Sequence, residues 1–145
     1  LVLDRKIPVC IMHMLGEPGT MQDNPQYSNV TEEVNNYLIS KARELVEMGH
    51  SMDKIYLDPG IGFGKTLEHN VELLNSSNEL QPYSVLWGVS RKSMIYKTLN
   101  TSPENALNGS SVLHTISLIK GVNILRTHDV KEALECVKIV SQLNC

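Results

Sequence analysis

Four short apolar runs, distributed along the whole chain, each end in a polar or glycine-rich segment. They are residues 9–12, 55–57, 85–89 and 123–125. Segments with helical periodicity lie between them, so the order of elements is a strand followed by a helix, four times over. Because the runs do not alternate between apolar and polar residues, they predict strands buried on both faces of a parallel sheet. The fold class predicted is α/β.

Two architectures fit this order: a small open doubly wound sheet and part of a (β/α)₈ barrel. Both bind ligands at the carboxyl ends of their strands, where the polar segments lie here. A complete barrel takes about 250 residues, so four units in 145 residues would be half of one. No linker or charge block divides residues 1–145, which predicts a single domain. The chain begins at Leu1 without a methionine, so a fragment of a longer protein is one interpretation.

The composition limits the cellular compartments and the classes of binding partner that are expected. Thirteen basic and 16 acidic side chains give a net charge of −3, which argues against a general nucleic-acid surface. We expect neither a transmembrane segment nor a secretory signal, because no apolar stretch is long enough. The three cysteines, Cys10, Cys136 and Cys145, fit neither a zinc site nor a disulfide framework. That cysteine usage favours a reducing, cytoplasmic compartment.

Capping residues and apolar stripes predict the helix boundaries. Glu32 and Glu33 begin the first long helix, which Gly49 ends. Ser102 and Pro103 predict the start of a later helix. We also expect a helix after Thr66 with Leu67, Val71 and Leu74 inward, a short helix capped by Ser90, and a last helix begun by Asp129 and Glu132 with Ala133, Val137 and Val140 inward.

Asp58 follows the second apolar run and precedes the segment 59–65, Pro-Gly-Ile-Gly-Phe-Gly-Lys. Alternating glycines let a backbone approach a ligand closely, and a buried carboxylate needs a partner. Both common phosphate-loop patterns are excluded, because Pro59 stands where GxxxxGK[ST] requires glycine and Lys65 stands where GxGxxG requires it. We interpret the segment as a ligand site. The alternative is a glycine-rich turn with a capping acid.

Residues 90–93, Ser-Arg-Lys-Ser, place two cations and two hydroxyls at a predicted helix start, where exposed amides favour an anion. The alternative is an ordinary serine cap with solvated cations. Arg126 and His128 lie two apart on a predicted strand, so their side chains share a face and can hold a phosphate group. His13 is equally consistent with a core residue and a ligand group. Together these groups indicate a phosphorylated heteroaromatic ligand.

Four segments in this order resemble the dihydropteroate synthase family: residues 12–22, 58–65, 90–93 and 126–130. Leu15 stands where the family usually has Gln, and Thr127 where it usually has Val. The resemblance implies a (β/α)₈ TIM barrel of the pterin-binding type, of which this chain supplies about the last four βα units. It also implies a transferase that condenses 6-hydroxymethyl-7,8-dihydropterin diphosphate with 4-aminobenzoate, giving dihydropteroate and pyrophosphate.

The resemblance further implies roles at matching positions. Asp58 would hold the aminopyrimidine edge of the pterin, Lys92 would donate to its ring, and Arg126 with His128 would bind the diphosphate; these four are the catalytic candidates. Ser93 would take the benzoate carboxylate. The remaining substrate-binding positions are Met12, Gly62, Phe63, Lys65, Gly88, Ser90 and Arg91. No activated nucleophile is required, because an aromatic amine is already nucleophilic.

The family pattern covers the carboxyl-terminal half only, so the isolated chain is expected to lack activity by itself. Mg²⁺ is expected with ligands in the amino-terminal half and none in this chain, and a homodimer is expected for the full-length protein. Two alternatives remain. One is a methyltetrahydrofolate-dependent methyltransferase barrel, which has no diphosphate to hold; the other is a non-catalytic pterin- or phosphate-binding module.

Overall fold

The computed structural model describes residues 2–143, so Cys145 lies outside the described residues. The strands are β1 (Val9–Met12), β2 (Ile55–Asp58), β3 (Ser84–Trp87) and β4 (Ile124–Leu125). The helices are α1 (Val2–Arg5), α2 (Val30–Glu47), α3 (Leu67–Asn75), α4 (Ser93–Thr98), α5 (Leu107–Ile119) and α6 (Val130–Gln142). Short 3₁₀ turns occupy Met52–Lys54, Ser77–Leu80 and Pro103–Asn105. The predicted alternation of strands and helices is confirmed.

The four strands form one parallel sheet in chain order, β1-β2-β3-β4. A doubly wound sheet reverses its strand order at a switch point, and this sheet does not. Right-handed connections between successive neighbours place every crossover helix on the same face. The arrangement is that of half a (β/α)₈ barrel, which excludes the open doubly wound alternative.

The core lies between the sheet and its helices. Ile55 and Leu57 of β2 are fully buried against this side, and successive strand residues point to opposite faces, so Tyr56 and Asp58 point to the other side. α2 contributes the buried residues Val34, Leu38 and Ala42 to the core. Cys10 of β1 is exposed. The prediction of strands buried on both faces is therefore wrong for β1 within residues 2–143.

Helix α3 is rotated relative to the prediction. Leu67 and Val71 were expected inward but are 42% and 43% exposed. Leu74 is buried as predicted, and the rest of the inward stripe is Asn70 and Leu73, because the amide of Asn70 bonds to the glycine-rich segment. The last helix shows a similar difference, with Val137 40% exposed while Ala133 is buried as predicted.

The helix start predicted at Ser90 is wrong, and the start predicted at Asp129 is confirmed although its side chain does not cap the helix. Lys92, not Ser90, is the residue before α4, and the hydroxyl of Ser90 contacts His128. Asp129 precedes α6 but does not cap it through its side chain. Its carboxylate pairs with Arg91.

The other predicted starts are closer to the structure. α2 begins at Val30 with Asn29 as the capping residue and ends just before Gly49. Thr66 caps α3 and exchanges hydrogen bonds with His69. Pro103 begins a 3₁₀ turn, and α5 follows only at Leu107. Within residues 2–143, none of the helices combines the length and apolar character needed to cross a membrane.

Candidate active site

The glycines of segment 59–65 are required by contact with the loop that follows β1. Gly60, Gly62 and Gly64 all have φ between 67° and 77°, a region that favours glycine. A Cβ on Gly60 would lie 1.8 Å from the carbonyl oxygen of His13. A Cβ on Gly64 would lie 2.5 Å from that of Leu15. At these two glycines, therefore, the close approach is to backbone rather than to a ligand, which corrects the interpretation drawn from the sequence.

Asp58 is a buried acid surrounded by positive charge. It is 3% exposed, and its Oδ1 accepts a hydrogen bond of 2.7 Å from the amide of Gly60. Burial raises the pKa of this carboxyl, while the Gly60 amide and the charges of Arg126, Lys92 and Lys65 act to lower it. The structure thus brings together an acid and three cations that lie on different loops. The sequence predicted this cluster of one acid and three cations.

Met12 lies beside this acid. It is the partner of Asp58 in the β1–β2 register and is half-buried. Paired residues on neighbouring strands point to the same face of a sheet, so the thioether adjoins the carboxylate. The position suits an apolar lining for a planar ligand.

Lys92 lies over the ring of Phe63, with 4.1 Å between its Nζ and the ring centre. Burial and the charge of Arg126 lower the pKa of Lys92, and Asp58 opposes this shift. The stem of Lys92 passes Gly62, where a Cβ would lie 3.5 Å from Lys92 Cδ. Phe63 and Gly62 therefore form the surface along which Lys92 extends towards the acid.

Arg126 lies against Gly88 at the end of β3. A Cβ on Gly88 would lie 3.2 Å from Nε and from one terminal nitrogen of Arg126, so any larger residue would displace the guanidinium. Arg126 and His128 lie beyond β4, which ends at Leu125, although the amide of Arg126 continues the pairing. They were predicted on the strand itself. A cavity of about 260 Å³ is lined by Gly88, Ser90, Lys92, Arg126, Thr127 and His128.

Ser90 connects the loops that follow β3 and β4. It is 3% exposed. Its hydroxyl accepts a 3.2 Å hydrogen bond from the backbone amide of His128 and lies 3.1 Å from the Nδ1 of the same residue. Ser90 therefore orients the His128 ring at the cavity.

Arg91 forms hydrogen bonds to protein groups and also lines a depression beside Lys92. Its Nε and one terminal nitrogen donate to the carboxylate of Asp129 at 2.9 and 2.7 Å. The other terminal nitrogen donates to the carbonyls of Pro103 and Glu104, each at 3.3 Å. Four of its five N–H groups are thus occupied. Most of the hydrogen-bonding capacity of the guanidinium is therefore used within the protein, and the substrate-binding role of Arg91 stays a prediction.

Lys65 and His13 form a buried pair below the acid. Their exposures are 3% and 8%, and Lys65 Nζ lies 3.0 Å from His13 Nδ1. Burial lowers the pKa of Lys65 to about 8, with Asp58 opposing the shift. Burial and the charge of Lys65 lower the pKa of His13 to about 4. His13 is consequently neutral near pH 7 and accepts a hydrogen bond from the ammonium group.

A second cavity, of about 310 Å³, adjoins Lys65. Its lining includes Gln22, Pro25, Lys65, Thr66, Ser93, Met94 and Lys97. Ser93 opens α4, which has only six residues, so the partial charge at this helix start is small. Any attraction for an anion here therefore depends on the hydroxyl of Ser93 and on two lysines. The size of the cavity and its mixed polar and apolar lining fit a small aromatic acid.

Three residues without a predicted role hold the glycine-rich segment in place. Asn70 accepts from the amide of Gly62 at 2.9 Å, and Gln22 donates to the carbonyl of the same glycine. Tyr27 donates to the carbonyl of Gly64 at 2.9 Å. The only sequence signal for the role of Asn70 was an amide side chain on the inward stripe of a helix. Gln22 lies in the segment 12–22 that carries the family resemblance, but nothing in the sequence pattern distinguishes Tyr27, whose partner is 37 residues away.

The described residues do not build a metal centre. Within residues 2–143, no three side chains of His, Cys, Asp or Glu are arranged to hold a metal ion. Lys92, Arg126 and Lys65 supply positive charge at the candidate site. Such a site suits an anionic ligand.

Comparison with known proteins agrees with this geometry. A family profile described as pterin binding enzyme matches residues 1–128. The dihydropteroate synthase of Escherichia coli K12 is 44% identical over 136 residues, which are 92% of this chain and 48% of that protein. The chain thus spans about half the length of the curated relatives it matches.

Solved structures give the same result at the level of the fold. A Yersinia pestis dihydropteroate synthase in complex with a sulfonamide drug matches with a TM-score of 0.92 and 38% identity, over 98% of this chain and 52% of that one. The Thermus thermophilus enzyme in complex with 4-aminobenzoate matches with a TM-score of 0.91 and 34% identity, over 99% and 60%. The aligned region corresponds to the carboxyl-terminal half of a (β/α)₈ barrel.

Proposed function

The chain belongs to the family of pterin binding enzymes, and from that premise we propose that it forms the carboxyl-terminal half of a dihydropteroate synthase. The reaction joins 6-hydroxymethyl-7,8-dihydropterin diphosphate to 4-aminobenzoate and releases pyrophosphate. The identity to the Escherichia coli synthase supports this proposal. So do the Thermus thermophilus structures with 6HMPPP and with 4-aminobenzoate.

The single observation that carries the proposal is the buried carboxylate of Asp58 among three cations. A carboxylate accepts two hydrogen bonds side by side, which matches the paired N–H groups of an aminopyrimidine edge. The surrounding cations offset the cost of burying the charge. Lys92 Nζ lies over the Phe63 ring, its charge acts to lower the pKa of Asp58, and it would donate to polar atoms of the pterin ring.

Arg126 and His128 would bind the diphosphate, because both line the cavity beside Gly88. During the reaction the amine nitrogen bonds to the methylene carbon as the carbon–oxygen bond to diphosphate breaks. Pyrophosphate leaves with the electron pair of that bond, and the nitrogen then loses a proton. Cations close to the departing oxygens stabilise the negative charge that develops on them. The chain's own residues thus promote departure rather than activate the nucleophile.

The benzoate would occupy the cavity that contains Ser93. Lys65 and Lys97 lie on its lining and would attract the carboxylate, while Pro25 and Met94 supply apolar contacts. This cavity shares Ser93, Gln22 and Lys97 with an adjoining depression lined by Lys92. A benzoate amine would therefore be able to face the methylene of a pterin held at Asp58.

Magnesium, assembly and compartment are parts of the same proposal. Mg²⁺ would be held by the diphosphate and by residues of the amino-terminal half, which lie outside this chain. A homodimer is supported by the apolar stripe Val130, Leu134 and Val137 on α6, which is 40–68% exposed. A cytoplasmic location is supported by Cys10 and Cys136, which are free thiols.

The full-length protein that contains this chain tests the proposal. Incubation with the pterin diphosphate and 4-aminobenzoate should yield dihydropteroate and pyrophosphate in equal amounts. Calorimetric binding of both compounds without any product would instead favour the non-catalytic pterin-binding module. Absence of binding would reject the proposed site altogether.

A further inference from the structure

Two loops supply most of the cationic groups of the candidate site. The loop after β3 carries Lys92 and Ser93, and the loop after β4 carries Arg126 and His128. The distance between such loops is not determined by the short strands alone, since β3 and β4 pair over only two positions. Some contact between the loops must therefore set how the two groups of side chains face each other.

Arg91 and Asp129 provide this contact. The two N–H···O bonds of 2.9 and 2.7 Å form a bidentate pair, which fixes orientation as well as distance. Asp129 is 14% exposed and Arg91 28% at the side chain, so water competes only weakly with this pair. The pKa of Asp129 lies below its usual range, chiefly because its carboxylate accepts hydrogen bonds from Arg91.

The backbone of Arg91 is also held in an uncommon conformation. Its φ is +55°, a left-handed value that is unfavourable for a side chain other than glycine. The amide of Arg91 donates to Ser110 Oγ at 2.9 Å, and its guanidinium reaches the carbonyls of Pro103 and Glu104. These contacts retain the left-handed turn, and the turn directs the next residue, Lys92, towards Phe63.

Granting the proposed function, we infer that Arg91 is a positioning residue that acts through Asp129. The pair locks the loop of Lys92 against the loop of Arg126 and His128, so that the group assigned to the pterin ring and the groups assigned to the diphosphate are held in fixed relation to each other. The Ser90–His128 contact lies beside it and couples the same two loops. Arg91 itself does not touch substrate, because four of its five N–H groups are bound to protein.

A double-mutant cycle in the full-length protein tests this inference. The variants are R91M, D129N and the R91M/D129N double variant. The control is K41M, which removes the exposed Lys41–Glu44 pair on α2. For each protein, calorimetry gives the affinity for inorganic pyrophosphate, steady-state assays give kcat and the KM of each substrate, and thermal denaturation gives Tm.

R91M and D129N should each weaken pyrophosphate binding and reduce kcat by about tenfold, and the double variant should be no worse than either, because both changes break one coupled pair. K41M should match the wild type. The KM for 4-aminobenzoate should stay within about twofold in both single variants.

Three results would overturn the inference. Additive losses in the double variant would show that the residues act independently. A raised KM for 4-aminobenzoate in R91M, with D129N like the wild type, would show that Arg91 binds substrate directly. A lower Tm with unchanged affinity and kcat would show a purely structural pair. A wild-type protein that makes no dihydropteroate would reject the proposed function instead, and the pyrophosphate affinities would still measure the coupling.

Discussion

Asp58 carries a charge in a place where an isolated charge would be unfavourable. Its burial raises its pKa, and three cations oppose that shift. Replacing Asp58 with Asn keeps an oxygen for the Gly60 amide but removes the charge and places an N–H where a ligand N–H should bind. We expect the affinity of the full-length protein for the pterin diphosphate to fall at least tenfold, about 1.4 kcal/mol or more, as measured by calorimetric titration.

The matched control for this change is Asp53→Asn, which alters an exposed aspartate in the turn before β2. Its affinity should equal that of the wild type. Unchanged affinity in Asp58→Asn would remove this carboxylate from the pterin site.

The buried pair of His13 and Lys65 gives stability a dependence on pH. The pKa of His13 is about 4 in the folded chain against an ordinary 6.5. Between these values the unfolded chain binds a proton that the folded chain does not, so the free energy of unfolding falls as pH drops from 6.5 towards 4. The pKa of Lys65 is about 8 in the folded chain against 10.5, so its contribution to stability is constant below about pH 8, changes only as pH rises above that value, and does not disturb this acidic window.

His13→Asn should remove this part of the pH dependence, because the amide oxygen of Asn can still accept from Lys65 but has no proton to gain. We expect the wild type to lose roughly 1–3 kcal/mol more than the variant between pH 7 and pH 4. Urea unfolding of the full-length protein at several pH values measures the difference. Parallel curves for the two proteins would contradict it.

The site residues that could be predicted from the sequence are those that lie at or just after the ends of predicted strands. Asp58 ends β2, and Lys92 and Arg126 follow the ends of β3 and β4, where ligands bind in this class of fold. The contacts of Tyr27 and Arg91 could not be predicted in this way. Tyr27 bonds to Gly64, 37 residues away, and Arg91 to Asp129, 38 residues away, and such partners are determined by folding in three dimensions.

Helices α5 and α6 expose apolar residues on the outside of the half barrel. Val130, Leu134 and Val137 are spaced as one stripe of α6 and are 40–68% exposed, and Val112 of α5 is 50% exposed. If this surface is buried in a homodimer, a charge at its centre should separate the subunits. Leu134→Glu should convert the full-length protein from dimer to monomer in sedimentation analysis at micromolar concentration.

Met48→Glu serves as the control for this change, because Met48 is an equally exposed apolar residue at the end of α2. It should leave the dimer intact. A Leu134→Glu variant that sediments like the wild type would place the dimer contact elsewhere.

The long helix α2 was predictable because Val34, Leu38 and Ala42 repeat with helical spacing and are all fully buried. The inward-facing residues of α3 and α6 were less predictable. The inward stripe of α3 includes the polar Asn70, which serves the glycine-rich segment, and hydrophobic periodicity does not detect a buried amide. The caps predicted at Ser90 and Asp129 failed for a related reason, since both side chains are used by contacts between loops.

Periodicity could not choose between a doubly wound sheet and a barrel, because both have the same alternation of strands and helices. The distinguishing property is the order of strands in the sheet, β1-β2-β3-β4, which only the resemblance anticipated. That order has a consequence for stability. The inner face of a complete barrel is filled by side chains from all its strands, whereas Cys10 on this face is exposed in the present chain.

The reactivity of Cys10 therefore tests whether a second half covers the inner face. In the isolated 145-residue chain we expect Cys10 to react rapidly with a thiol reagent, and in the full-length protein at least about tenfold more slowly because packed interiors exclude reagent. Cys136, buried between α5 and α6, reports in each protein whether these helices remain packed, and Cys145 is replaced by Ser in both proteins. The isolated chain should also unfold without a cooperative transition, because one face of its sheet lacks the burial that makes a domain stable. A monomeric isolated chain with a sharp thermal transition, or equal Cys10 reactivity in both proteins, would contradict the half-barrel account.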